Sequence, residues 1–229
     1  MENKGVVKSG ITLTELSSCT SRNKNVLNHL RKEILDQKYL LRTVLRIGEI
    51  AERLQVSATP VREALLQLVG EGLVDFEHQK GFAIKLRSAR SIMELYKLSE
   101  AIITSHLSSM PTDEISELKG ITNVSLHSLP HDEAVKFVEN ISFCIFDPKH
   151  NPESYRMISR IIACTHIVRR EIFANKSNAE ELLCIYQSIN ASLIGKNHKD
   201  AIIGFQKAYK SESEYIESAI ISLATRHLI

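Results

Sequence analysis

Residues 47–86 read IGEIAERLQVSATPVREALLQLVGEGLVDFEHQKGFAIKL, and the periodicities in this stretch decide the fold. Ile50, Ala51 and Leu54 recur on one helical face, with Glu49, Glu52 and Arg53 outside it. Gln55 and Val56 make a turn. Ser57 then stands as an N-cap, since a serine hydroxyl can accept from an unpaired N–H of a helix's first turn. Pro60 falls where a missing N–H costs nothing, because first-turn donors have no partner within the helix. Val61, Ala64, Leu65 and Leu68 form an inward stripe, while Ala58, Thr59 and Arg62 point outward at the exposed start. Gly70 and Gly72 are expected to stop this helix. Leu73–Glu77 and Phe82–Leu86 alternate apolar and polar residues across His78-Gln79-Lys80-Gly81, which reads as a hairpin. Two short helices and a hairpin in this order describe a winged helix-turn-helix, a device that places one helix end in a DNA groove.

Working outward, Val26–Leu35 carries helical periodicity and Tyr39–Arg46 reads as a loop with a short strand. The run SATPVREALLQLVGEGLV with the wing ending in Gly81 resembles the DNA-binding domain of the GntR family of bacterial repressors. The resemblance covers residues 22–87, and Thr59-Pro60-Val61-Arg62-Glu63-Ala64-Leu65 is its most specific part. Two departures stand out. Ala58 replaces the arginine usual between the Ser and the Thr, and Leu41-Arg42 replaces the usual Pro-Gly of the preceding loop. The resemblance implies DNA contacts from Ser57, Thr59 and Arg62 at the helix start, from Arg46, and from His78, Lys80 and Gly81 in the wing.

The 229-residue chain has room for two modest domains, and its 43% apolar content is ordinary for a protein with a packed core. The net charge of +2 is unevenly spread: residues 1–90 hold 15 Lys and Arg against 10 Asp and Glu, and residues 91–229 hold 14 against 17. A basic first part suits a nucleic-acid partner, an acidic second part something else. The cysteines Cys19, Cys144, Cys164 and Cys184 show neither a Cys-x-x-Cys pair nor zinc spacing. Three of them fall in apolar helical patterns, which suits a reducing cytoplasm. Met1–Gly10 is polar and lacks the apolar core of a signal peptide, and no apolar run approaches membrane-spanning length. Residues 1–21, rich in Ser, Thr and Lys, are expected to be a flexible arm.

Beyond Arg87-Ser88-Ala89-Arg90 glycine becomes scarce and strand-like alternation stops. Helices are expected over 90–109, 112–127, 132–147, 152–174, 178–195 and 198–226, punctuated by Pro111, Pro130, Pro148 and Pro152. In the last of these, Ile202, Phe205, Tyr209, Ile216, Ile220 and Leu223 form the inward stripe of a helical bundle. Behind a GntR-like domain, such a bundle resembles the effector-binding and dimerisation domain of the FadR subfamily. Leu95-Tyr96 matches that family's first effector-domain helix, but Ser99 and Ile103 stand at its Arg and Glu positions. Metal-binding members use an Asp, a His four residues on after a Phe, and two further His on the last two long helices. Asn140, Cys144, Tyr186 and Tyr209 occupy those places here, with Phe143 retained. Asn and neutral Tyr are poor ligands for a hard or borderline ion, so neither metal nor cofactor is expected. Tyr96, Ser99, Asn140, Cys144, Tyr186 and Tyr209 are the candidate lining of an effector pocket.

Other residues have plainer readings. His106 and His166 are expected to be hydrogen-bonded or partly exposed helix residues. Arg169 and Arg170, with His166 one turn earlier, could meet an anionic ligand, but a solvated helix face is the expectation. Tyr186 and Tyr209, with Phe143 and Phe205, serve equally as core or as cavity lining. The sequence holds no GxSxG, P-loop, GxGxxG or HExxH, so nothing points to an enzyme.

The expectation is a mostly α fold: a flexible arm over 1–21, a winged helix-turn-helix with a small β wing over 22–88, and an all-α bundle over 90–229. Its function is expected to be that of a dimeric bacterial repressor on a short pseudo-palindromic operator in double-stranded DNA, in the cytoplasm and away from membranes. Two versions stay open, one with a small organic effector and one with none. The competing reading is an interaction protein whose helical domain binds a protein partner.

Overall fold

A computed structural model of the chain describes residues 25–110 and 129–226. The expected arm over 1–21 and the expected helix over 112–127 lie outside them. The chain divides into two compact units, with the first ending at Ile84 and the second running from Lys85 onward and taking in Leu40–Arg42.

The first unit opens with a helix over residues 25–35 (α1), whose Val26, Leu30 and Ile34 are buried at successive turns of one face. After strand β1 (Val44–Leu45) come α2 (Ile47–Leu54) and α3 (Ala58–Glu71). Strands β2 (Val74–Glu77) and β3 (Gly81–Ile84) follow. The three strands form an antiparallel sheet in the order β1-β3-β2, with Val44 opposite Ala83 and Val74 opposite Ile84. Val61, Ala64, Leu65 and Leu68 of α3 are buried with Leu45, Val74, Phe82 and Ile84 of the sheet.

Three local expectations are corrected. Gly72 alone ends α3: its φ of 81° is a left-handed C-cap, its N–H reaches back to α3, and Gly70 lies inside the helix. The hairpin is shorter than expected, because Gly81 already pairs with Glu77 and leaves His78-Gln79-Lys80 as the turn. The Lys80 N–H closes that turn on the Glu77 carbonyl at 3.0 Å, and Gly81 follows at φ 84°. A turn followed by a left-handed glycine is how three-residue hairpin loops are built. Finally, Ser57 holds the extended N-cap conformation but its hydroxyl makes no capping bond. Pro60, third in α3, removes one of the two N–H groups such a bond can use and leaves only that of Thr59, which the hydroxyl does not take.

The second unit is all helical: α4 (Ala89–Ser109), α5 (His131–Cys144), α6 (Pro152–Ala174), α7 (Lys176–Ile194) and α8 (His198–Thr225). Ser88, Asn175 and Asn197 cap α4, α7 and α8 by accepting backbone N–H groups, and Pro152 opens α6. α8 packs against α4, α6 and α7, burying Ala201, Phe205, Ala208, Ile216 and Leu223. The approach of α7 to α8 depends on Gly204, where a Cβ would stand 2.5 Å from Ile189 Cγ1.

Candidate nucleic-acid interface and helical-domain site

The start of α3 is open while its flank is locked. Ala58, Thr59 and Arg62 are exposed, and Val61 and Leu65 beside them are fully buried. Arg62 makes no ion pair among the described residues. An arginine in such a place can offer its planar fork to two acceptors at once. Arg46 is the N-cap residue of α2 and lies 3.2 Å from Glu49, both side chains well exposed. Lys80 at the wing tip lies 2.7 Å from Glu77. Exposed pairs of this kind are held weakly, so either cation can turn to a stronger anion at small cost. His78 is exposed beside Lys80, and Gly81 is half-buried.

The helices of this unit are clamped by charge. The Glu33 carboxylate is buried and accepts from Arg53 Nη1 and Nη2 at 2.6 and 2.8 Å and from the Tyr39 hydroxyl at 2.9 Å. His29 and Lys38 lie near it at 3.2 and 3.7 Å. The Arg53 hydrogen bonds outweigh burial and hold the Glu33 carboxyl down at about 2, while burial and the Glu33 contact push the Tyr39 phenol up to about 12. A second pair, Arg31 to Glu71, ties α1 to the end of α3.

In the helical unit the expected pocket residues do not all meet. Tyr96, Ser99, Tyr186 and Tyr209 are buried, Cys144 is half-buried, and Asn140 faces solvent. Asn140 leaves the site because successive helical residues point about 100° apart. Its neighbours Glu139 and Ile141 take the inward positions. Phe143 packs on Tyr155 rather than on Tyr186, whereas Phe205 stands between Tyr186 and Tyr209. His106 lies against Phe146, and His166 Nδ1 is 2.9 Å from Glu139 Oε1, a hydrogen-bonded histidine as expected.

Arg169 overturns its expectation. It is only 4% exposed, donating from Nη1 to Glu139 Oε1 at 3.0 Å, with Nη2 3.8 Å from Glu212 Oε2. Arg170 is the more open of the two and pairs with Asp132 at 2.8 Å. Glu212 is fully buried and accepts from the Tyr186 hydroxyl at 2.9 Å. The Tyr209 hydroxyl and Ser99 Oγ are 2.7 Å apart, and the Arg169 guanidinium lies over the Tyr96 ring at 5.5 Å. Burial works against the charges of Glu139 and Arg169, yet His166 and Arg169 keep the Glu139 carboxyl below its ordinary range. Tyr96, Glu212 and Glu139 likewise keep Arg169 a strong base. Burial drives the Tyr96 and Tyr186 phenols well above their ordinary range. The network was missed in the sequence although a signal was there: Glu212 sits three residues after Tyr209 and four before Ile216, on the inward stripe of α8.

No helix among the described residues is long and apolar enough to cross a membrane. Among known proteins, residues 22–84 match the model of the bacterial regulatory proteins of the gntR family. The HTH-type transcriptional regulator YdhC of Bacillus subtilis is 22% identical over 182 residues, 76% of this chain and 81% of that protein. The Nta operon transcriptional regulator of Aminobacter aminovorans is 42% identical over 50 residues, 22% of this chain and 24% of that one. Among solved structures, E. coli McbR/YncC matches with a TM-score of 0.57 at 17% identity, over 90% of this chain and 98% of that one. A GntR transcriptional regulator of Rhodococcus sp. RHA1 matches with a TM-score of 0.56 at 17% identity, over the same shares. These two likenesses bear on the fold, and they extend through both the winged helix and the helical unit. The likeness to the gntR family of bacterial regulatory proteins thus lies on residues 22–84, the winged-helix unit, and an all-helical unit follows it.

Proposed function

We propose that the chain is a homodimeric, sequence-specific regulator of transcription, a bacterial repressor of the FadR subfamily that works in the cytoplasm on a short pseudo-palindromic operator. The observation that carries this is the open start of α3, whose Ala58, Thr59 and Arg62 are presented on a helix fixed from behind by buried Val61, Ala64, Leu65 and Leu68. In this reading residues 22–88 hold the DNA. Arg62 takes guanine O6 and N7 in the major groove, and Thr59 reaches a base edge or nearby phosphate. Ser57, whose hydroxyl makes no capping bond, offers it to a phosphate. Arg46, His78 and Lys80 follow the backbone, with the Gly81 turn close to the minor groove.

Residues 90–229 supply the two-fold contact that paired half-sites require. Ile203 and Ile221 support this: they are 62% and 63% exposed and lie five turns apart on one line of α8. A large apolar side chain left open at both ends of one helix face suits a second copy of the same helix. The buried polar residues of the helical unit hold a small organic effector without a metal, since Asn140 faces away and the Tyr186 and Tyr209 hydroxyls are engaged by Glu212 and Ser99.

The test is a gel shift of the full chain against fragments of its own genome, followed by footprinting. A protected pseudo-palindrome is expected, with Arg62→Ala losing about 1–3 kcal/mol on that site and little on random DNA. Wild-type binding that does not discriminate between fragments refutes the proposal.

A further inference from the structure

The side edge of a guanidinium carries two parallel donors, Nε–H and one Nη2–H, which match the two oxygens of a carboxylate. In Arg169 that edge makes no hydrogen bond, its Nη2 standing only at ion-pair distance from Glu212. Nε has no hydrogen-bond partner, and Nη2 lies 3.8 Å from Glu212 Oε2, beyond hydrogen-bonding reach. Glu212 Oε2 and the Tyr96 hydroxyl likewise make no hydrogen bond of ordinary geometry, although they stand close enough for Glu212 to raise the Tyr96 phenol. All three residues are more than nine-tenths buried, and they come from α6, α8 and α4. Their neighbours are already committed: Arg169 Nη1 to Glu139, Glu212 Oε1 to Tyr186, and Tyr209 to Ser99. A buried donor pair, a buried acceptor and a buried phenol left open side by side are costly unless something completes them.

We propose that this edge binds a small α-amino acid, its carboxylate along Nε and Nη2 of Arg169 and its ammonium on Glu212 Oε2 and the Tyr96 hydroxyl. Charge decides the class. Glu139 is already held by His166 and by Arg169 Nη1, so the open edge itself presents one guanidinium, Arg169, and one carboxyl group, Glu212. A simple carboxylate would add a second acidic group beside Glu212, and like charges at close range in a dry interior repel strongly. A bare cation would meet Arg169. A ligand that carries both charges on neighbouring atoms satisfies both ends and leaves the balance unchanged. Tyr96, Tyr186, Phe205 and Tyr209 crowd the site, so the side chain is small. The inference deepens the effector role proposed above and rests on it. α4 begins only five residues after the last wing strand, so a ligand joining α4 to α6 and α8 acts next to the DNA-binding unit in the chain.

The test is thermal unfolding of the full-length protein with each small free amino acid at about 10 mM, a hundredfold excess over a Kd of about 0.1 mM. N-acetylated and carboxamide forms and propionate serve as controls. At least one free amino acid is expected to raise the midpoint by about 5 °C or more. Its blocked forms and propionate should not. Arg169→Gln should abolish the shift, and Glu212→Gln should move the preference toward the N-acetylated form. No shift with any free amino acid, or equal shifts with blocked forms or propionate, overturns the proposal. Where Arg169→Gln fails to fold, the blocked ligands on wild-type protein still decide. A gel shift on ligand-free protein separates the two readings: DNA binding without an amino-acid response removes this site and leaves the regulator standing.

Discussion

Replacing Glu33 by Gln tests what holds the winged helix together. The side chain keeps its size, but the charge that gathers Arg53, Tyr39, His29 and Lys38 is lost. A carboxyl held at about 2 against an ordinary 4.5 corresponds to at most about 3.4 kcal/mol of folding free energy. The Arg53 side chain is 44% exposed, so solvent screens the pair, and about 1.5–2 kcal/mol is the expected loss at neutral pH. Because the folded value is the lower one, this contribution is complete above about 4.5. It fades as pH falls toward about 2. Native-state hydrogen exchange on the full chain reads the amides of α1 and α2 directly, without assuming one cooperative transition for both units. Wild-type protection should fall across that acidic window, and Glu33→Gln should start lower and lack that part of the slope. If the variant protects these amides within about 0.5 kcal/mol of wild type at neutral pH, the clamp is ornamental and the reasoning fails.

Lys80→Ala should weaken specific and random DNA alike and reduce the slope of log affinity against log salt by about one, which gel shifts at several salt concentrations will read. An unchanged slope would remove the wing tip from the interface. Ile203→Glu together with Ile221→Glu should leave the fold intact and convert a dimer into a monomer by sedimentation, with operator affinity falling alongside; a dimer that persists would place the contact on another face. Gly204→Ala should destabilise the helical unit by about 1–3 kcal/mol in denaturant unfolding, because the new Cβ meets Ile189 Cγ1 at 2.5 Å. Helix propensity alone favours Ala by about 1 kcal/mol, so a stabilised variant would show that the contact relaxes easily.

The winged helix was legible because its signals are local. A stripe at Val61, Ala64, Leu65 and Leu68, a glycine after Glu71 and alternation across a short turn each specify backbone within a few residues, and all four stripe residues are buried. The misreadings there were local as well. Residue type alone predicts a capping bond at Ser57, whereas its hydroxyl makes none, and Pro60 three positions on removes one of the two donors it could have used. Gly70 and Gly72 look alike as letters, yet only Gly72 takes the positive φ that a C-cap demands.

The interior of the helical unit was harder to read for a different reason. A charged letter on a helix usually marks its wet face, and Arg169 was assigned there on that rule. What reverses the rule is a partner far away in sequence: Glu139 lies 30 residues before Arg169, and Glu212 stands on yet another helix. Periodicity could have found one half of the pair, since Glu212 continues the line from Phe205 and Tyr209 to Ile216. A carboxyl on such a line requires a buried counter-charge, and the adjacent arginines of α6 were the natural place to look. The same logic explains Asn140. A polar letter does not say which way its side chain points, and on a helix neighbouring positions separate core from solvent. Glu139, one place earlier, is the acidic side chain that faces inward, and it holds Arg169 and His166 where an aligned Asn140 would have held nothing.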